Sequence, residues 1–143
     1  MKSIKLWLLP LLLAVWPFFV AAADAPKMIS VEVQILEQSK PISNATFTVQ
    51  DGYSKAMHLK PRQQDDFWVV AAPRIEADGR VALELSARRS RSPLYSPGDD
   101  ALRASIRLKD GEAIRLPFGE VASGAPGKKP QSRYTLRVSA LNL

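Results

Sequence analysis

The sequence predicts an all-β fold, most simply a two-layer antiparallel β-sandwich of about seven or eight short strands. Three observations lead to it: apolar and polar residues alternate after residue 23, Asp-Gly pairs separate the alternating runs, and no later segment combines helix caps with a helical apolar period. Each strand therefore has one apolar face, which a single open sheet would leave in water. Two sheets packed face to face bury these faces, and a small β-barrel is the alternative.

Residues 1–23 are predicted to be a secretory signal peptide, followed by a single domain of residues 24–143. Lys2 and Lys5 make the start positive, Leu6–Val20 is almost wholly apolar, and Ala21–Ala23 offers small residues for cleavage. A retained membrane anchor is the alternative, but the apolar run is short for a membrane helix and contains two prolines. We therefore expect export to the periplasm, or secretion as the alternative, with no transmembrane segment in the mature chain.

Composition restricts the class of partner and site. Removing Lys2 and Lys5 with the leader reduces the 20 basic residues to 18, so that with 14 acidic residues the net charge becomes +4 instead of +6. Such a mild excess is compatible with contact to an anionic surface but does not favour nucleic acid. The absence of cysteine excludes disulfides, thiol catalysis and cysteine-ligated zinc, and it suits a bacterial periplasm.

The first half of the domain begins with a half-buried strand at Ile29–Ile35, where apolar and polar residues alternate. Phe47–Leu59 alternates on both sides of Asp51-Gly52 and is predicted to form a β-hairpin. Phe67–Ala72 is apolar on both faces and is predicted to be the most buried strand of this half. A turn at Asp78-Gly79 then leads into the second half.

The second half repeats the alternation. Val81–Ala87 is predicted to be a strand, and Arg88–Asp100, which has no apolar period, an exposed loop. Ala104–Gly119 is predicted to fold as a hairpin about Asp110-Gly111, with a type I′ turn that needs positive φ at both residues. A second long loop at Val121–Ser132 precedes a final strand, Tyr134–Leu141.

The two halves share the order strand, Asp-Gly hairpin, strand, which indicates an internal repeat. The offsets are 50 from Val31 to Val81, 59 from Gly52 to Gly111 and 67 from Phe67 to Tyr134. Two interpretations stay open. The repeat is either a true duplication or the shared rhythm of any β-protein.

The most concentrated charge lies in the predicted loop, at Arg88, Arg89 and Arg91. These side chains are predicted to bind an anionic group or a protein partner, because each arginine adds a salt-sensitive attraction. The alternative is a solvated loop whose charge is balanced by Asp99 and Asp100.

No catalytic, cofactor-binding or metal-binding residues are predicted, and the chain is not expected to be an enzyme. His58 is the only histidine; it lies on the polar side of its predicted strand, with no partner at a recognisable motif spacing. Asp65 and Asp66 would be the carboxylates of a hydrolase, but no nucleophile and base pair accompanies them. The spacing of a calcium-binding loop is also missing.

Val69–Ile75, followed by Asp78–Leu83 and then by Ser105–Leu116, resembles the β-rich C-terminal module of bacterial secretins. In that module a Pro-x-Ile strand, an Asp-Gly turn and a later Asp-Gly hairpin occur in this order. The resemblance covers about Val69–Leu116 and departs from the family at Leu116–Gly119, where secretins have Gly-Gly. It implies a soluble cell-envelope β-domain associated with a secretion or pilus assembly, and it does not imply a pore.

These observations predict a non-catalytic binding or accessory protein of a bacterial cell-envelope assembly of the secretion or pilus type. Its partner would be a protein of the envelope, which could bind through an exposed sheet edge by main-chain hydrogen bonds. The alternatives are a periplasmic enzyme inhibitor and a carboxylate-dependent hydrolase.

Overall fold

The computed structural model describes residues 24–90, 101–122, 126–127 and 131–143, and the predicted signal peptide lies outside them. The described residues form eight strands and no helix. In chain order the strands are β1 (Met28–Glu37), β2 (Lys40–Gln50), β3 (Lys55–Arg62), β4 (Asp65–Ile75), β5 (Val81–Ser90), β6 (Ala101–Leu108), β7 (Ala113–Ala122) and β8 (Gln131–Asn142).

The strands form two antiparallel sheets, which confirms the predicted sandwich. Sheet A has the order β2-β1-β8-β7, and sheet B has the order β3-β4-β5-β6. No described strand pairs with a strand of the other sheet, so the sheets do not close into a barrel. The inner strands β1, β8, β4 and β5 supply most of the buried side chains, because every second residue along them points into the space between the sheets.

Both predicted Asp-Gly hairpins are wrong. β2 and β3, which flank Asp51-Gly52, lie in different sheets, as do β6 and β7, which flank Asp110-Gly111. Only the glycines have positive φ, +81° at Gly52 and +75° at Gly111, so neither turn is of type I′. Each Asp-Gly pair is instead the tight turn at which the chain crosses from one sheet to the other.

The two-residue turn with positive φ at both positions joins β1 to β2 and contains no glycine. Gln38 and Ser39 have φ values of 49° and 66°, and Glu37 pairs with Lys40 on either side of them. This is the conformation that the sequence analysis assigned to Asp110-Gly111. The polar pair Gln38-Ser39 carries no comparable sequence signal, because glycine and asparagine are the residues that favour this turn.

β5 is longer than predicted and continues to Ser90. Arg88 and Arg89 therefore belong to a strand and not to an exposed loop, and the Arg89 side chain is buried. Arg91 lies outside the described residues. The extension follows from pairing, because Arg88 and Arg89 are opposite Trp68 and Phe67 of β4.

The internal repeat is present in the strand order and in the pairing register. When each of β1 to β4 is exchanged with its counterpart among β5 to β8, the order β2-β1-β8-β7 of sheet A becomes β6-β5-β4-β3. This is the order of sheet B read from its other edge. Ile29 pairs with Val49, and Val81 pairs with Leu108 at the corresponding place. The first strands thus correspond at an offset of 52 (Ile29 to Val81) and not 50, a two-residue difference that leaves the same side chains facing the core.

The hydrogen bonds that anchor the two crossing turns also repeat. In each half the glycine N–H donates to a backbone carbonyl of an inner strand, and the preceding aspartate accepts from a backbone N–H of that strand. The four bonds are Gly52 N to Pro73 O (3.1 Å), Gly111 N to Ala140 O (2.9 Å), Ile75 N to Asp51 Oδ1 (2.8 Å) and Asn142 N to Asp110 Oδ1 (2.7 Å). The aspartates therefore hold the crossings in place.

Candidate functional site

A buried ion pair lies at the end of the sandwich where β4 begins and β5 ends. Arg89 Nη2 donates to Asp65 Oδ1 at 2.5 Å, and Arg89 Nε donates to the same oxygen at 3.1 Å. Arg62 Nε donates to the other oxygen, Oδ2, at 2.6 Å. Only 3% of Asp65 and 6% of Arg89 is exposed, so both charges depend on these bonds.

The same network continues across to the other sheet. Arg62 Nη2 donates to Glu37 Oε2 at 2.7 Å, and Arg133 Nε donates to Glu37 Oε1 at 3.0 Å. Arg62 belongs to sheet B, whereas Glu37 and Arg133 belong to sheet A. We call Glu37, Arg62, Asp65, Arg89 and Arg133 the ionic cluster. Each carboxylate oxygen of the cluster accepts a hydrogen bond from an arginine. The cluster therefore joins the two sheets through polar contacts.

The arginines set the ionisation of the two carboxyl groups. Burial by itself raises the pKa of Asp65, but the hydrogen bond and charge of Arg89, helped by Arg62, hold that pKa below its usual range. Burial likewise raises the pKa of Glu37, and Arg133 and Arg62 outweigh it, so this pKa is also lowered. A carboxylate with a lowered pKa is a poor general base near neutral pH, which argues against Asp65 as the hydrolase residue.

Tyr134 covers the inner side of the ionic cluster. Its ring lies 5.2 Å from the Arg89 guanidinium carbon and 5.3 Å from that of Arg133, within cation–π range. The ring also packs edge-on against Phe67 at a centroid distance of 5.1 Å. The Tyr134 hydroxyl is buried without a hydrogen-bond partner among the described residues, and burial raises its pKa. The cluster is thus joined directly to the aromatic core.

The free energy of unfolding is expected to fall as the pH drops below about 4.5. Glu37 and Asp65 have lowered pKa values in the folded chain, so their contribution is complete above the usual values of 4.5 and 3.8 and is lost as the pH falls through the lower folded values. Urea denaturation at a series of pH values measures how steeply the free energy of unfolding depends on pH. Glu37→Gln should make this dependence shallower, whereas the control Glu32→Gln, outside the cluster, should not. Identical slopes for the chain and Glu37→Gln would contradict this prediction.

Of the three arginines predicted from the sequence, Arg88 and Arg89 lie on opposite faces of β5, and Arg91 lies outside the described residues. Arg89 points into the sandwich, whereas Arg88, the next residue of β5, is exposed on the outer face of sheet B. Arg88 is opposite Trp68 of β4 and lines a groove there. The structure therefore separates a structural arginine from one that lies on a candidate binding surface.

Trp68 is the main feature of that outer face, and its side chain is 43% exposed. Its indole ring stacks on the His58 imidazole, with the ring centroids 4.5 Å apart and the planes at 12°. His58 Nε2 lies 3.0 Å from Asp66 Oδ1, and Lys60 Nζ lies 4.0 Å from the same oxygen. The prediction that His58 faces solvent is confirmed, but the sequence did not show that it contacts Trp68 and Asp66. Both contacts depend on the pairing of β3 with β4.

Three adjoining pockets that share lining residues form a groove along the outer face of sheet B, beginning at Trp68. Its floor consists of small side chains, because Ala72, Ala82 and Ser86 cannot fill the space between the larger residues around them. Trp68 and Arg103 line one end, and Arg74 and Glu84 line the other. Exposed Val70 adds an apolar surface beside Trp68. We call this groove and its rim the sheet B surface.

The equivalent surface of sheet A has a different chemistry. The residues that correspond to His58, Trp68 and Val70 in the repeat are Pro117, Thr135 and Arg137. The outer face of sheet A therefore lacks the aromatic pair and the exposed valine. Since the two halves share the same backbone pairing, the aromatic groove is a property of one half alone, and core packing does not require it.

The described residues contain no group of three or more His, Cys, Asp or Glu side chains that could hold a metal ion. The same residues form no helix that is long and apolar enough to cross a membrane. The chain matches no protein-family model, no curated protein and no solved structure.

Proposed function

We propose that the chain is an exported, non-catalytic binding or accessory protein of a bacterial cell-envelope assembly of the secretion or pilus type. It binds a protein partner with the sheet B surface. The observation that carries this proposal is the exposed Trp68–His58 stack beside a groove with a floor of small side chains.

Three features of the surface support protein binding. Tryptophan and arginine are the side chains that most often dominate the energy of an interface, and Trp68, Arg88 and Arg103 lie together here. Trp68 is already held on one ring face by His58, so it loses less conformational freedom on binding than an unsupported side chain would. The outer face of sheet A has Thr135 and Arg137 at the equivalent positions, so its described residues offer no similar aromatic anchor.

A carboxylate-dependent hydrolase is the second candidate, because the His58–Asp66 contact of 3.0 Å resembles a base held by an orienting carboxylate. No hydroxyl of the described residues donates to His58, so the nucleophile of such a site is not supplied here. A screen of hydrolase substrates in which Asp66→Asn abolishes a detected activity would favour this candidate. An enzyme inhibitor would use the same surface as a binding protein, with an enzyme as the partner.

Site-specific photo-cross-linking in cells tests the binding proposal. A photoreactive amino acid at Val70 is expected to give a cross-linked product of one defined mass, whereas the same amino acid at Arg137, the equivalent position in the other half, is not. Trp68→Ala should remove the product, and the matched control Thr135→Ala should leave it. Equal cross-linking from Val70 and Arg137, or a product that persists in Trp68→Ala, would overturn the proposal.

A further inference from the structure

The four edge strands of the described sandwich differ in how they are protected against pairing with another chain. β2, β3 and β7 each contain a proline, and each has an irregularity in its pairing with the neighbouring inner strand. Proline removes a backbone donor and a bulge twists the edge away, and both are common protections. β6 has neither. Its eight residues pair with β5 without a register shift, and no described strand covers its other side.

The side chains of β6 specify what could pair with it. On the outer face Arg103 and Arg107 are both exposed, and Arg107 Nε lies 3.2 Å from Glu76, which orients a side chain that is still 70% exposed. On the inner face Leu102 and Ile106 are only partly buried against the core. An added strand would therefore meet a basic row on one face and an apolar row on the other.

In the symmetric register centred on Ser105, charge also opposes pairing with a second copy of this chain. In an antiparallel pair of two β6 strands centred on Ser105, Arg103 of each copy would lie opposite Arg107 of the other, and like charges directly opposite are destabilising. The equivalent edge strand β2 has Asn44 and Thr48 at the corresponding positions. In that register the two arginines oppose self-association, whereas they favour a strand of opposite charge.

We propose that the β6 edge is a docking site for an extended acidic segment of a protein partner, which adds to sheet B as a fifth strand. Its acidic side chains lie opposite Arg103 and Arg107 on the outer face, and the alternating apolar side chains cover Leu102 and Ile106. This inference deepens the proposed function and rests on it, since Arg103 also lines the sheet B surface. To the proposed function it adds β6 as the strand that binds the partner and an acidic sequence as the segment that is bound.

Peptide binding tests the site. The chain is expressed with its own leader, secreted and isotopically labelled for NMR, and an unlabelled peptide is added to it. The probe is a peptide of alternating valine and glutamate as long as β6, and the control peptide carries lysine in place of glutamate. The glutamate peptide is expected to slow amide hydrogen exchange along β6 and to bind about tenfold more tightly than the lysine peptide. Arg103→Glu combined with Arg107→Glu should reverse that preference. Lys40→Glu combined with Arg115→Glu, which changes the net charge equally elsewhere, should keep it.

Protection of β2, β3 or β7 amides in place of β6, or equal binding of the two peptides, would overturn the inference. Concentration-dependent dimerisation through β6 would also overturn it. If cross-linking at Val70 succeeds while the peptide fails to bind, only the β6 assignment fails and the proposed function stands. Failure of the cross-linking with successful peptide binding would overturn the proposed binding at the sheet B surface and leave the β6 edge as the docking site.

Discussion

Asp65→Ala is expected to lower the free energy of unfolding by about 3–5 kcal/mol, the cost of breaking a buried ion pair by removing one partner. Asp65 accepts three hydrogen bonds from Arg89 and Arg62, and the substitution takes this carboxylate away from a guanidinium that is itself buried. Urea denaturation followed by circular dichroism at neutral pH measures the loss.

Two further variants give this prediction its controls. Asp66→Ala removes the adjacent carboxylate, which pairs on the exposed side with His58, and should cost less than about 1 kcal/mol. Asp65→Leu combined with Arg89→Met replaces both charges by apolar side chains and should recover at least about half of the loss. A loss for Asp65→Ala no larger than that for Asp66→Ala would show that the buried pair is not what holds this end of the sandwich.

Phe67→Ala is expected to destabilise the chain by about 3–5 kcal/mol, the range for truncating a large buried aromatic side chain. Phe67 is completely buried and packs edge-on against two other rings, with centroid distances of 5.1 Å to Tyr134 and 6.1 Å to Phe118. The rings come from both sheets, so the cavity would open in the middle of the interface between the layers. Thermal or urea unfolding measures the loss.

The adjacent residue supplies the matched control. Trp68→Ala deletes an even larger aromatic side chain from the same strand, but that side chain is 43% exposed on the opposite face. We expect this variant to lose less than about 1.5 kcal/mol and to retain a cooperative transition. Similar losses for Phe67→Ala and Trp68→Ala would mean that the inward and outward faces of β4 are assigned incorrectly.

The β-sandwich could be predicted because a two-residue alternation of apolar and polar side chains is a local property of each strand. Ile29–Ile35 and Tyr134–Leu141 were recognised as strands on this basis, and both lie within inner strands of sheet A. The end of β5 was missed because Arg88-Arg89 breaks the apolar pattern. Arg89 can be buried there because Asp65, from another strand, compensates its charge.

The candidate site was much less accessible to sequence reasoning. His58, Trp68 and Arg88 lie on three different strands, and they become neighbours only through the pairing of β3 with β4 and of β4 with β5. Their exposure follows from alternation, since Phe67 and Trp68 must face opposite sides. Which of the two faces inward depends on the whole sheet. The unprotected edge of β6 likewise becomes visible only when the sheet order is known.

By itself the sequence determined which side chains of each strand are apolar and therefore that these faces must be buried against one another, in a two-layer sandwich or in a small barrel. It also contained the repeat, as the matching positions of Gly52 and Gly111. Tertiary structure alone decided which strands pair, because an Asp-Gly turn is locally compatible both with a hairpin and with a crossing between sheets. The choice depends on the inner strands that receive the hydrogen bonds of Asp51 and Asp110, and those strands lie far away in sequence.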